Sequence, residues 1–322
     1  MTSNVISLIP SRALVVNRSR MIVMPLMGIL AFLLCWHIGA QNVHTSLGTL
    51  PGPAQTYQQF TNLVEQHVEQ REKAADFIER QEKRNAAKLA KNPDAEVKIR
   101  PYTGKPTFFD QIGTSLFTVA AGFLLASLIA IPLGILLGLN SGLYQAFNPV
   151  IQLLKPVSPL AWLPIVTMVV SATYVSDDPL FAKSFVNSLL TVALCSLWPT
   201  LINTAVGVTS VDKDLINVSK VLRLSWWKHI TTIVLPSAVP MIFTGLRLSL
   251  GIAWMVLIAA EMLAQNPGLG KFVWDEFQNG SSDSLGRIMV AVITIGFIGL
   301  LLDRGMLYLQ KWLSWNKKQE LR

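Results

Sequence analysis

Apolar residues in this chain fall into runs of about twenty, the length a helix needs to cross the hydrocarbon of a bilayer. Six runs stand out, at 21–40, 112–139, 150–172, 185–206, 237–263 and 285–309. They predict six transmembrane helices. A cleaved signal peptide is the alternative for 21–40, but the run is long and no small-x-small site follows at once, so an uncleaved span is expected. Between the first two runs lies a polar stretch, 41–111, with ten Lys and Arg. Within it Phe60, Leu63, Val64, Val68, Ala75 and Ile78 recur at helical spacing, and Glu69–Lys73, Asp76–Arg80 and Glu79–Lys83 are opposite charges four apart. A helix near 55–91 is expected there, broken up afterwards by Pro93, Pro101 and Pro106. It reads as a solvated structural insert or as a contact surface for an external partner.

Composition agrees with a membrane protein. Of 322 residues 51% are hydrophobic and only 14% charged, against about 25% charged in an average globular chain. The net charge of +8 is explained by basic residues at the cytoplasmic ends of spans, and no aromatic-interleaved basic patch points to nucleic acid. Counting Lys and Arg in the termini and short loops places thirteen on one side (Arg12, Arg18, Arg20, Lys155, Lys213, Lys220, Arg223, Lys228, Arg304, Lys311, Lys317, Lys318, Arg322) and two, Lys183 and Lys271, on the other. Both termini are therefore expected in the cytoplasm, with Trp312 and Trp315 anchoring the last span at the interface. The expected organisation is a cytoplasmic N-terminus 1–20, a first span 21–40, an external helical insert 41–111, a transmembrane core 112–309 holding a cytoplasmic loop 207–236, and a cytoplasmic tail 310–322.

Little catalytic chemistry is visible. Cys35 and Cys195 both fall in apolar runs and read as packing residues. The four histidines show no metal-ligand spacing with Cys or carboxylate support. There is no Walker loop, nucleophile elbow or paired-carboxylate site. Asp177-Asp178, beside Pro179, reads as a turn, and Asp275-Glu276 has no partner base or ligand set. No catalytic residue, metal or cofactor is expected in this chain, and any ATP must be bound by another subunit.

Two patterns inside the runs specify packing and polarity. Gly122, Ala126, Ala130, Gly134 and Gly138 recur every four residues, a stripe of small side chains that permits close helix approach. Arg247, Trp254 and Glu261 recur every seven, so they share a helix face. Charges within a span usually face a bundle interior or a water-filled cavity. A role at the ends of the span and a role lining a translocation pathway are both open for these three.

The stretch 217–236, NVSKVLRLSWWKHITTIVLP, is basic, amphipathic and flanked by spans. On the cytoplasmic side it is a docking surface or a lipid-facing helix. It resembles the cytoplasmic loop of binding-protein-dependent ABC importer permeases, which reads Glu-Ala-Ala, then Gly, and closes on Leu-Pro. Leu235-Pro236 stand at the closing pair. Asn217-Val218-Ser219 stand at the Glu-Ala-Ala positions and Arg223 at the Gly position, so the spacing is kept while Glu and Gly are lost. PVSPLAWLPI (156–165), SLWPTLINTAVGV (196–208), IFTGLRLSLGIAW (242–254) and AAEMLAQNPGLGKFVWDEF (259–277) are similar to permeases of nitrate/nitrite ABC importers, a branch of the nitrate, sulfonate and bicarbonate importer family. The resemblance covers roughly 110–310 and does not reach the 55–105 insert.

The resemblance implies an all-α polytopic helical bundle of the type I ABC importer permease kind, in the inner membrane. It implies partners: cytoplasmic ATPase subunits that bind ATP, an external solute-binding protein, and a second permease copy that completes the pathway. Asn217–Lys228 would be the coupling helix entering the ATPase, with Val218, Val221, Leu222, Leu224 and Trp226 as apolar contacts and Lys220, Arg223 and Lys228 setting orientation. The implied cargo is a small anion, nitrate or nitrite first; bicarbonate, cyanate, taurine and alkanesulfonates use related permeases. A stand-alone channel or secondary transporter is the reading of another class, but no inverted repeat is evident. A membrane-embedded enzyme lacks its catalytic cluster, and a scaffold without transport would show ATP-independent behaviour.

Overall fold

The computed structural model describes residues 12–45, 48–92, 97–175, 179–281 and 283–313. The Asp177-Asp178 turn, Pro93, Trp315 and the charged residues Lys317, Lys318 and Arg322 lie outside the described residues. Helix α1 (Arg12–Asn42) is followed by a short antiparallel pair, β1 (His44–Thr45) and β2 (Gly48–Thr49). Helices α2 (Pro53–Lys91), α3 (Phe108–Leu139), α4 (Ser141–Leu154), α5 (Pro159–Thr173) and α6 (Lys183–Thr209) come next. Then follow α7 (Lys213–Val221), the single turn α8 (Trp226–His229), a π-helical turn Ile230–Val234, α9 (Leu235–Ala264), α10 (Leu269–Asn279) and α11 (Ser284–Leu313). Among the described residues, five helices or fused helices are long and apolar enough to cross a membrane: Val23–Asn42, Phe108–Leu139, Lys183–Thr209, Trp226–Ala264 and Ser284–Leu313.

The expected span at 150–172 is present as a broken element. It is not one helix but the pair α4 and α5, bent by 100°. The cause lies in Lys155-Pro156-Val157-Ser158. Pro156 has no N–H to give the Gln152 carbonyl, so α4 stops at Lys155, whose own backbone is still helical. Ser158 then restarts the helix, its hydroxyl accepting from the Leu160 N–H at 3.2 Å, with Pro159 in the first helical position. α4 exposes Leu143, Phe147, Val150 and Leu153 along one stripe, the pattern of a helix lying in an interface. α5 alone is about 22 Å long, short of a full crossing.

The bundle core is α3, α6 and α9. The small-residue stripe of α3 lies against α6: Gly122 faces Val192, Gly134 faces Thr204 and Gly138 faces Val208. The pairing advances in the same direction along both helices, so they run parallel. A methyl at Gly134 would meet Thr204 Cβ at 2.6 Å and the Leu201 carbonyl at 2.7 Å. Ala126 and Ala130 are buried on the same face. α9 crosses α6 in the opposite sense, Gly207 against Met241 and Gly245 against Asn203, and Ser249 Oγ receives the Thr200 hydroxyl at 2.7 Å and the Thr200 N–H at 3.1 Å. α11 runs antiparallel to α9, tied by Trp254 Nε1 donating to the Ile295 carbonyl at 2.9 Å.

The polar stretch forms the helix expected from its periodicity, as α2. Its start packs on the bundle through buried Thr56 and Leu63. Gln59 donates to Asp283 Oδ1 at 2.9 Å, His67 Nδ1 lies 2.7 Å from Thr107 Oγ1, and Arg71 pairs with Asp110. Gln81 exchanges two 2.9 Å bonds with the backbone of Arg100, so 97–106 runs back along α2. The pairs Glu69–Lys73 and Glu79–Lys83 form. Asp76–Arg80 does not form as an ion pair: Arg80 Nε donates instead to the Asp76 carbonyl oxygen at 3.1 Å.

Candidate functional site

Two regions of the bundle carry polar or exposed chemistry. The first is the α7–α8 segment. Asp212 caps α7 by accepting from the Asp214 N–H at 2.9 Å. The helix ends in a tight reversal: the Arg223 N–H donates to the Lys220 carbonyl at 3.1 Å and the Leu224 N–H to the Ser219 carbonyl at 3.1 Å. Those two bonds define a Schellman motif with Arg223 as the left-handed residue, at φ 47°. Ser219 is buried beneath the turn with its hydroxyl 2.8 Å from His229 Nδ1, which joins α7 to α8. The stretch 217–228 is therefore not one helix, as expected, but a helix, a turn and a second helical start. Apart from half-buried Leu224, the rest of it points outward. Val218, Val221, Leu222, Trp226 and Trp227 are exposed large apolar residues, and Asn217, Lys220, Arg223 and Lys228 are exposed among them. Leu224 and Leu235 are half-buried and Pro236 is exposed. Trp227, 70% exposed, exceeds Trp226 at 52%; the Trp-Trp dipeptide was the signal for it.

The second region is α9. Arg247, Trp254 and Glu261 do not share one environment. Arg247 makes a two-pronged ion pair with Asp303 of α11, Nε to Oδ1 at 2.5 Å and Nη2 to Oδ2 at 2.9 Å. The pair opens onto a groove of about 620 Å3 walled by Thr244, Leu248, Gly251, Ile252 and Met255. Trp254 is buried against α11. Glu261 is fully buried. Ser115 Oγ donates to its carboxylate at 2.8 and 2.9 Å, and the Gly270 N–H donates to Oε2 at 3.0 Å. The Leu269 N–H donates to Ser115 Oγ at 2.8 Å. Glu261 and Ser115 thus take up the free N–H groups that open α10, where a carboxylate also meets the favourable end of the helix dipole. This explains the glycines of 267–270: a Cβ at Gly268 would lie 2.1 Å from Glu261 Oε1 and one at Gly270 2.1 Å from the Ile258 carbonyl oxygen. Asp275 pairs with Lys271, and Glu276 is held by Ser284 at 2.9 Å and Arg287 at 3.1 Å. Both carboxylates are accounted for by local pairing. Among the described residues no group of His, Cys, Asp and Glu is placed to hold a metal ion.

Residues 130–315 match the family model described as binding-protein-dependent transport system inner membrane component. The chain belongs to this family. It is a multi-pass inner-membrane permease of the ABC importer type. The permease is 35% identical over 300 residues to the bicarbonate transport system permease protein CmpB of Synechococcus elongatus, covering 92% of this chain and 90% of that one. It is 40% identical over 200 residues to the nitrate import permease protein NrtB of Synechocystis, covering 62% and 68%. Among solved structures, an inward-facing MetNI methionine ABC transporter superposes with TM-score 0.55 at 12% identity, over 64% of this chain and 95% of that one. At that identity it is the fold that the two share.

Within the permease, the loop that departs from its family's sequence pattern keeps a backbone reason for it. The position that carries Gly in the family pattern is Arg223, the left-handed residue of the Schellman turn, where glycine has no Cβ penalty. Sequence spacing located that position; its conformation emerges only from the fold. Asp303 was not singled out in the sequence, although an acid inside the last apolar run was a visible signal. Ser115, the partner of Glu261, carried no such signal.

Proposed function

We propose that this permease is the translocation subunit of an ATP-driven importer for a small oxyanion, nitrate or nitrite first, with bicarbonate as the alternative. The observation that carries the reading is the α7–α8 surface. Five large apolar side chains and three cations stand exposed on a rigidly capped helix-turn-helix, a combination suited to a protein partner rather than to water. In this reading the partner is an ATPase subunit, to which the permease leaves ATP binding. Charge asymmetry supports α7–α8 and both termini facing the cytoplasm, with α2 outside on the side where a solute-binding protein delivers the anion. A second permease copy completes the pathway, and Arg247 with its groove lies along it. Relatives named for nitrate and for bicarbonate support the oxyanion class equally.

The test is ATPase stimulation in the complete complex, reconstituted with partner ATPase and cognate binding protein, across nitrate, nitrite, bicarbonate, cyanate and taurine. Stimulation by nitrate or nitrite is expected; stimulation by bicarbonate alone moves the assignment to the alternative, and response to none removes it. Arg223→Glu should abolish co-purification of the ATPase while the permease still inserts in the membrane. Retained ATPase would sink the docking assignment.

A further inference from the structure

We propose that Asp303 is a resident stand-in for the transported anion: its carboxylate fills the Arg247 guanidinium fork that a planar oxyanion occupies during translocation. The inference rests on the groove between α9 and α11 being part of the pathway. Arg247 stands about 18 Å along α9 from Leu235 and Asp303 about 15 Å from Leu313, both inside membrane-spanning segments. Ionised groups at such depth are costly in lipid and face cavities. These two side chains are 34% and 36% exposed, so they meet the groove rather than the packing.

The geometry adds chemistry to that position. Nε and Nη2 grip the two carboxylate oxygens in parallel, at 2.5 and 2.9 Å. Nitrate, nitrite and bicarbonate present two oxygens on a planar centre in nearly the same way, and guanidinium is the side chain whose fork matches that shape. A sulfonate can also offer two oxygens to the fork, so the match is to two-oxygen anions rather than to single-atom ones such as chloride. The groove is open beside the fork: a Cβ built on Gly251, one turn along α9, meets nothing within 4 Å. Arg304, next to Asp303 and exposed, leaves the local charge positive, so an added anion is tolerated. Nor is the pair needed to hold the two helices together, since Trp254 already bonds to the Ile295 carbonyl.

The variant Asp303→Ala empties the fork. In the complete complex with ATPase and binding protein, its melting temperature should fall. It should recover by about 3 °C or more in roughly 0.1 M nitrate or formate beyond any change in the same concentration of chloride, with wild type indifferent. Adding Arg247→Ala should erase the recovery. If Asp303→Ala does not assemble, Asp303→Asn serves, because its neutral amide is displaced by nitrate and the same recovery is expected. No recovery, or recovery that survives loss of Arg247, overturns the proposal while wild-type anion uptake keeps the importer reading. Recovery in a complex that takes up no anion does the reverse.

Discussion

Arg247 and Glu261 are two charges on one helix, two heptads apart, and α9 uses them in opposite ways. Glu261 is wholly enclosed and, together with Ser115, holds the first N–H groups of α10. Arg247 is a third exposed and grips a single acid at the edge of a groove. The seven-residue spacing that suggests a common face accounts for the divergence. A straight helix rotates about 20° per heptad against that repeat, so across two heptads the side chains turn by about 40°, enough to move from groove to interior. The structural charge is the one with two donors from two separate segments, Ser115 of α3 and Gly270 at the start of α10. On the proposed pathway, the charge a moving ion would meet is the one with a single partner, Asp303.

Three substitutions and one control, Gly251→Ala, test that division, from the largest effect to the smallest. Gly270→Ala drives a Cβ to 2.1 Å from the Ile258 carbonyl oxygen, backbone against backbone. It should cost about 3 kcal/mol or more, seen as loss of the monodisperse peak in detergent, whereas Gly251→Ala, with open space around it, should behave as wild type. Glu261→Gln keeps the shape but sets an amide N–H2 among donors. It should cost about 1–3 kcal/mol, read as a lower melting temperature by intrinsic fluorescence. Arg247→Ala should cost no more than about 1 kcal/mol, as for solvent-exposed ion pairs, while uptake falls. A stability loss as large as that of Glu261→Gln would show the groove to be dry, and the contrast between the two charges would collapse.

Apolar run length was enough to place the spans that are single helices, and residue spacing was enough to place α2, because both signals are local. Glu69–Lys73 was legible for the same reason, and Asp76–Arg80 shows the limit: spacing brings two groups within reach but leaves the side chain free to choose a carbonyl. The 150–172 run reads as a span by hydropathy, which averages over Pro156 and cannot weigh a lost N–H against twenty apolar neighbours. The partners of the α9 charges were beyond sequence reasoning of this kind. Ser115 lies 146 residues from Glu261 and Asp303 lies 56 from Arg247, and nothing in a single chain pairs them. The left-handed backbone at Arg223 was hidden behind a residue that does not advertise it.

The glycines of α3 have a bearing on how the molecule can work. Gly122, Gly134 and Gly138 each admit a side chain of α6 to a depth no other residue allows. Sliding α3 by a single residue would bring Phe123, Ile135 or Leu139 to those places. A gear with teeth this deep turns with its partner or not at all. Together with the Gly207 and Gly245 contacts between α6 and α9, it makes α3, α6 and α9 one stiff rotor. Any cycle that opens the permease alternately to its two sides must swing that rotor whole and find its compliance elsewhere, at the α4–α5 elbow and along α11.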